Sequence, residues 1–363
     1  MHVNVDAEAL ASAITYAVSP LKSDNKLLTF SRLSAYDSKL VIETTDNRVY
    51  SQASLPAEVK SNGICLMRTK ALKAATGSCG LVQIKGNGLI IRGRSQYSID
   101  TQTDVDVFPR AQTQHWKTLN ISPVDFLNAA MNVFSASDKE DCRPMCRAIN
   151  VRKDFLWASD GIRLARVAIG LDGVMFSIPA TFIPILKSRI KNMTHLSLGY
   201  HDLQKPATFF RVTGPSNALT THLVDESYTD FDINNLIPNP CDASAKIKID
   251  CKAMCNVLMR SRALTTDLKG VCILTLRLET GKATLGNREN SYTECLVENG
   301  AAISYQGEIM VAFNCLLFLD IIRSITTDHA DVYLYGAVGK PLLIIPADKN
   351  SEQVAHVLAS YRL

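Results

Sequence analysis

Leu156–Val167 reads LWASDGIRLARV. Apolar residues alternate into it, Ser159-Asp160-Gly161 interrupts them, and the alternation then resumes. Period-two alternation on both sides predicts two strands. The interruption predicts a tight turn, because Asp bonds its own backbone and Gly accepts a positive φ. An acid beside a glycine and an arginine would also suit a catalytic turn, so what decides is whether the pattern recurs. It does. Thr45-Asp46-Asn47 and the GNREN stretch at 286–290 interrupt alternating segments in the same way, 114 residues before Asp160 and 127 after it, counted to Asn287. Geometry explains a turn that recurs better than chemistry does.

A second marker repeats at the same interval. VDAEALASAITYAVSP offers Asp6 as an N-cap ahead of Leu10, Ile14, Ala17 and Val18. ISPVDFLNAAMNVFSAS offers Ser122 as N-cap, Pro123 at the first helical position, and an apolar face of Leu127, Ala130, Met131 and Phe134. IDCKAMCNVLMRSRAL offers Asp250 ahead of Met254, Val257 and Leu258. These caps lie 116 and 128 residues apart, within two residues of the turn spacings. A length of 363 residues is three times 121, so three copies of one unit are predicted. Second helices are expected at 68–78, 179–192 and 314–327, the last capped by Asn314 with Phe318, Ile321, Ile322 and Ile325 inward. Alternating segments follow each, and GNG at 86–88 marks a hairpin. Each unit reads helix, strands, helix, strands, which is α+β with mostly antiparallel sheet. DVFPR (106–110) and SYTDFD (227–232) hold matching places, which sets the domains at 1–117, 118–243 and 244–363.

Composition narrows the function. Apolar residues make up 47% and charged residues 20%, which excludes a disordered chain. A formal charge of +4 does not itself demand a polyanionic partner. Ten cysteines form no C-x-x-C pair, and no histidine stands near Cys142/Cys146 or Cys251/Cys255. Buried reduced thiols are expected, with no metal and no cofactor. The acid in the first ten residues and the lack of a long apolar run predict a soluble cytoplasmic protein.

Positive charge gathers on helices: Arg68, Lys70 and Lys73; Lys187, Arg189 and Lys191; Lys252, Arg260 and Arg262; and Arg323. On one helix this is a solvated face. If three similar domains turned these helices to a common side, the sum would suit a duplex phosphate backbone held without sequence preference. Aromatic residues are sparse there, which argues against single-strand stacking.

The whole chain resembles the bacterial DNA polymerase III beta subunit, the sliding clamp. WASDGIRLARV is similar to that family's middle-domain D-G-H-R-L stretch, and FSASDKEDCRPMC to the segment before it. LVDESYTDFDINNLIP, YQGEIMVAFNCLLFLDII and GRSQYSIDTQTDVDVFP resemble three further family stretches in the right order. The resemblance implies a homodimer, two chains head to tail in a ring of six similar domains, with helices around duplex DNA. It implies no enzymatic activity, and loading by an ATP-driven partner. It also implies a hydrophobic pocket between the second and third domains that holds peptides of polymerases and clamp-loader subunits.

Carried over by resemblance, the pocket comprises Cys146, Ser159, Gly161, Ile162, Arg163, Leu164, Leu236, Ile237, Asn314, Leu317 and the tail Val357, Leu358, Ala359, Ser360, Tyr361, Arg362 and Leu363. Thr229 stands at the place of a family proline. DNA contacts fall on Lys22, Lys26, Arg68, Lys70, Lys73, Lys187, Arg189, Lys191, Arg260 and Arg323, and the dimer interface on Phe108 against Ala263 and Leu264 of the other chain. Departures gather in the pocket. Ile162 replaces a histidine, Ala359-Ser360-Tyr361 replaces Met-Pro-Met, Cys146 replaces a leucine and Asn235 an arginine. Asp24 stands where the first-unit loop often has an arginine. These departures suit a diverged clamp, as from a phage or mobile element, with its own peptide preference. Two other readings compete. One is a homologue that sequesters a host clamp or loader; the other is a nuclease built on Asp160, Asp46 and Glu43, whose acids are scattered over separate repeats.

Overall fold

The computed structural model describes all residues except 19–28, 78–79, 103, 139–142, 153, 172, 225–232, 265–270, 278–279, 281, 288–292, 298–300, 303–306, 337–338 and 362–363. The chain is α+β with antiparallel sheets, and it packs as two compact units. The first is Met1–Asp125 with Thr181–Leu223; the second is Phe126–Ala180 with Val224–Leu363. These limits follow packing, a different division from the predicted repeats. Among the described residues no helix is long and apolar enough to cross a membrane.

The helices form where caps and apolar spacing coincide. Helix α1 (Ala7–Ala17) starts at Asp6, whose carboxylate accepts the Ala9 amide at 2.9 Å, and it buries Leu10, Ile14 and Ala17. Helix α2 (Thr69–Thr76) buries Leu72 and Ala75. Helix α3 (Pro123–Phe134) starts at Ser122, whose hydroxyl accepts the Asp125 amide and donates to its carboxylate. Its buried side is Phe126, Leu127, Ala130 and Val133. Met131 and Phe134, expected inside, are half-buried and line a cavity. The apolar stripe is wider than one face, so tertiary packing chose the rotation.

The single helix predicted over 179–192 is instead α4 (Phe182–Lys187) and a separate 3-10 turn, Ile190–Asn192. Arg189 leaves helical geometry at φ −131°. Its guanidinium lies over the Tyr16 ring, 4.3 Å from the centroid, and donates to the Tyr16 carbonyl in the last turn of α1. That contact closes an orphan carbonyl at a helix C-terminus, and no local periodicity could report it. Helix α5 (Cys251–Leu264) follows Asp250, which accepts the Ala253 amide at 2.7 Å. Helix α6 (Cys315–Ser324) is capped by Asn314, which accepts the Leu316 and Leu317 amides.

Each unit contains a nine-stranded antiparallel sheet. In the first the order is Thr101–Gln102, Gly63–Arg68, Phe30–Tyr36, Lys39–Thr45, Val49–Pro56, Asn217–His222, Phe209–Thr213, His195–Tyr200, His115–Thr118. In the second it is Met175–Pro179, Ala148–Arg152, Phe155–Ser159, Arg163–Ala168, Val354–Leu358, Leu342–Pro346, His329–Leu334, Ala245–Asp250, Ala301–Ala302. In both, a run of consecutive strands ends on one that pairs with a strand far along the chain: Val49–Pro56 with Asn217–His222, and Arg163–Ala168 with Val354–Leu358. The first unit adds a five-stranded sheet and the second a four-stranded one. The predicted GNG hairpin joins Leu81–Lys85 to Leu89–Arg92 in that five-stranded sheet. Gly88 there has φ +85°, and a Cβ on it would sit 2.2 Å from the Ile99 carbonyl oxygen.

Candidate functional site

Asp160 is held by its own turn. Its Oδ1 accepts the amides of Ile162 and Arg163 at 2.9 and 2.8 Å. Ser159 Oγ accepts the Gly161 amide and donates to the Arg163 carbonyl. Gly161 takes φ +87°, and a Cβ there would meet the Arg143 guanidinium at 2.8 Å. Arg163, with a side chain 10% exposed, is fixed between two carboxylates, Asp160 Oδ2 at 2.8 Å and Asp320 Oδ2 at 3.0 Å. The stretch 156–167 is therefore a structural turn between strands, and its acid is spent on backbone amides and one guanidinium. The other two acids of the nuclease reading are likewise engaged: Asp46 on the Arg48 and Val49 amides, Glu43 in an ion pair with Arg32.

Beside this turn lies a cavity of about 400 Å³. Of the expected pocket residues, Cys146, Ser159, Gly161, Ile162, Arg163, Leu164, Leu236, Val357 and Ala359 line it. Arg143, Met145, Trp157 and Pro341 line it too, and the sequence reading missed them. Trp157 was legible in principle, since it sits two residues before Ser159 on one strand and shares its face. Pro341 carried no sequence signal. Behind the lining lies an apolar cluster with Trp157, Leu164, Ile233, Leu343, Ile345 and Val357, against which Met145 and Ile237 pack. The volume and the apolar walls suit a few buried side chains of an extended ligand.

Asn314 and Leu317 line a second cavity, of about 730 Å³, together with Met131, Phe134, Asp138, Asp160, Asp320 and Arg323. Ile162 and Arg163 belong to both cavities. The expected single pocket is thus two concavities meeting at the turn.

The tail departs from expectation. Val357 and Ala359 face the first cavity, but Leu358, one residue out of phase on its strand, is fully buried in the core beneath α5 and α6. Tyr361 does not line the first cavity. It forms a bridge to Ala312, donating its amide to that carbonyl at 2.7 Å. Ser360 lies between, and the Ala359 amide donates to the Ile162 carbonyl at 2.8 Å. Arg362, Leu363 and Thr229 lie outside the described residues, as do Lys22, Asp24, Lys26 and residues 288–290 of the third turn.

The remaining cations differ in kind. Lys70, Lys73, Lys187 and Lys191 are exposed on the first unit. Arg68 is exposed, pairs with Asp100 at 3.0 Å and lies over the Phe30 ring. Arg260 and Arg323 are exposed on α5 and α6 of the second unit, and Arg323 touches Met259 Sδ at 3.4 Å. Arg189 is half-buried and committed to Tyr16, and it also lines a cavity with Glu8, Ser12, Thr15 and Ser188. Phe108, expected at the dimer interface, is buried in its own unit against Phe30 and Leu66. Leu264, at the end of α5, is 51% exposed, and Ala263 beside it is exposed.

Burial pushes Cys65 up to about 12, and burial with its neighbour Cys255 pushes Cys251 up to about 11.

No protein-family model matches this sequence. Solved structures do match, end to end. A DNA polymerase sliding clamp from Pseudomonas aeruginosa is 18% identical, with all of both chains covered and a TM-score of 0.82. One from Bacillus subtilis is 16% identical, covering all of this chain and 99% of that one, with a TM-score of 0.85. A beta sliding clamp from Caulobacter crescentus is 17% identical over both whole chains, with a TM-score of 0.83. A further Pseudomonas aeruginosa clamp is solved bound to griselimycin. At these identities the likeness is one of fold.

Proposed function

We propose that this chain, which has the fold of the bacterial DNA polymerase sliding clamps, is itself a sliding clamp: a processivity factor without enzymatic activity. In this reading two copies close head to tail around duplex DNA, each chain supplying three repeats, 1–117, 118–243 and 244–363. Exposed Lys70, Lys73, Lys187 and Lys191, with Arg68, Arg260 and Arg323, would hold the phosphate backbone without reading sequence. Exposed Leu264 would join the interface between the chains, in the region expected from the sequence. The apolar cavity at Ile162 would bind short peptides of a polymerase and of clamp-loader subunits. Each buried apolar anchor would contribute about 1.5–3 kcal/mol.

The observation that carries this reading is the full-length fold match, joined to a nine-stranded sheet of corresponding strand order in both units. The test is retention on DNA. Native mass spectrometry should give a species of twice the chain mass. Protein loaded onto nicked circular DNA should stay bound through gel filtration and leave when the circle is cut once. A monomer at micromolar concentration that the circle and the linear form retain equally would overturn the reading. A dimer that stays on circles but only inhibits synthesis by a host polymerase and loader would point to the sequestering homologue instead.

A further inference from the structure

The turn beside the apolar cavity has a twin in the first unit. Thr45 Oγ1 accepts the Asn47 amide and donates to the Val49 carbonyl, as Ser159 Oγ does with Gly161 and Arg163. Asp46 Oδ1 accepts the Arg48 and Val49 amides, as Asp160 does with Ile162 and Arg163. The pairing around the twins also corresponds. Glu43 opposes Gln52 as Trp157 opposes Arg166, and Tyr50 opposes Thr220 as Leu164 opposes Val357. At the same place in the fold, Trp157, Leu164 and Val357 are therefore replaced by Glu43, Tyr50 and Thr220. One position is apolar, the other polar.

The polar position also holds a cavity, of about 120 Å³, walled on its other sides by Phe108, Arg110, Trp116 and Arg211. Its charges do not balance. Glu43 is the acid in its lining, and it already pairs with buried Arg32 behind it and, at 3.7 Å, with half-exposed Arg110. Asp46 is spent on its turn. Arg211 lies over the Trp116 ring at 5.1 Å and reaches Gln52 Oε1 only at 3.4 Å, and its Nε is buried without an acceptor among the described residues. Tyr50 hydroxyl meets His222 Nε2 at 3.0 Å. Three guanidinium groups thus share one carboxylate among the described residues, and of the two that face the cavity Arg211 is half-buried and Arg110 half-exposed.

We propose that this cavity binds a small oxyanion, a carboxylate or a phosphate group, between Arg110 and Arg211. A cavity of about 120 Å³ has room for one such small group. Guanidinium forks match planar and tetrahedral oxyanions with paired hydrogen bonds. The site does not depend on the proposed clamp function.

Trp116 reports on it. The chain has two tryptophans, so W157F leaves Trp116 as the sole tryptophan, stacked against Arg211, and selective tryptophan excitation reads it apart from the tyrosines. W157F protein is titrated at constant ionic strength with inorganic phosphate and, separately, with acetate, chloride making up the balance. A saturable change in emission is expected, with Kd raised at least about tenfold by adding R211Q and severalfold by adding R110Q. Saturation by phosphate alone assigns a phosphate group. Saturation by acetate alone assigns a carboxylate, as an acidic side chain would supply. A strictly linear response overturns the proposal, as does saturation that R110Q leaves unchanged. Arg110 is half-exposed, so that variant decides the matter even if R211Q does not fold.

Discussion

His356 is fully buried on the Val354–Leu358 strand, neither ring nitrogen has a partner among the described residues, and burial lowers its pKa to about 4. The ordinary histidine value is near 6.5, so below that pH the unfolded chain takes up a proton that the folded chain refuses. Stability should therefore be full above pH 6.5 and fall by about 3 kcal/mol as pH drops toward 4, then level off. Urea midpoints across that range should show the slope in the native protein and lose it in His356→Leu. A slope unchanged in the variant would assign the effect to other groups. Asp37 and Ser38 offer a second case. They form a two-residue hairpin turn with φ of +47° and +59°, a geometry that favours glycine. Ser38→Gly should stabilise by about 0.5–1 kcal/mol, read as a raised melting midpoint. Asp160 and Gly161 were legible from sequence because an Asx turn needs only neighbours. Pro341 was not, because a cavity wall is assembled across strands.

Elements show the same division. The caps Asp6, Ser122, Asp250 and Asn314 and the inward faces of α1, α5 and α6 stand where spacing put them, since capping and periodicity are local. The rotation of α3 and the break after α4 were set by packing. Arg189 is the clearest instance, read as a surface cation and found as the C-terminal partner of α1. Arg189→Ala should destabilise the first unit by about 1–2 kcal/mol, whereas Lys191→Ala nearby should change stability by less than about 0.5 kcal/mol. Thermal unfolding of the two variants side by side checks this, and equal losses would argue against the capping role. Asn314 accepts two amides at the start of α6, so Asn314→Ala should cost about 1 kcal/mol. Asn314→Asp keeps an acceptor oxygen at the cap and should leave the melting midpoint nearly unchanged.

At the scale of the molecule, the threefold period in the sequence announced an α+β chain of antiparallel sheets. It could not announce that Asn217–His222 joins Val49–Pro56, or that Val354–Leu358 joins Arg163–Ala168, because pairing between distant strands leaves no periodic trace. If the proposed DNA role holds, Lys70, Lys73, Lys187 and Lys191 act together. Replacing all four by Gln should flatten the log-log salt dependence of DNA retention by roughly 0.9 for each lysine that meets a phosphate, with the fold intact by circular dichroism. An unaltered slope would remove these four from the DNA surface. Residues 359–361 have a practical consequence. The Ala359 amide is stitched to Ile162 and the Tyr361 amide to Ala312, in two different parts of the second unit. A surface tether, a pulling handle or a bulky reporter attached just beyond Tyr361 would load both stitches and tug directly on the cavity wall. Biosensor and single-molecule work on this protein should anchor it elsewhere.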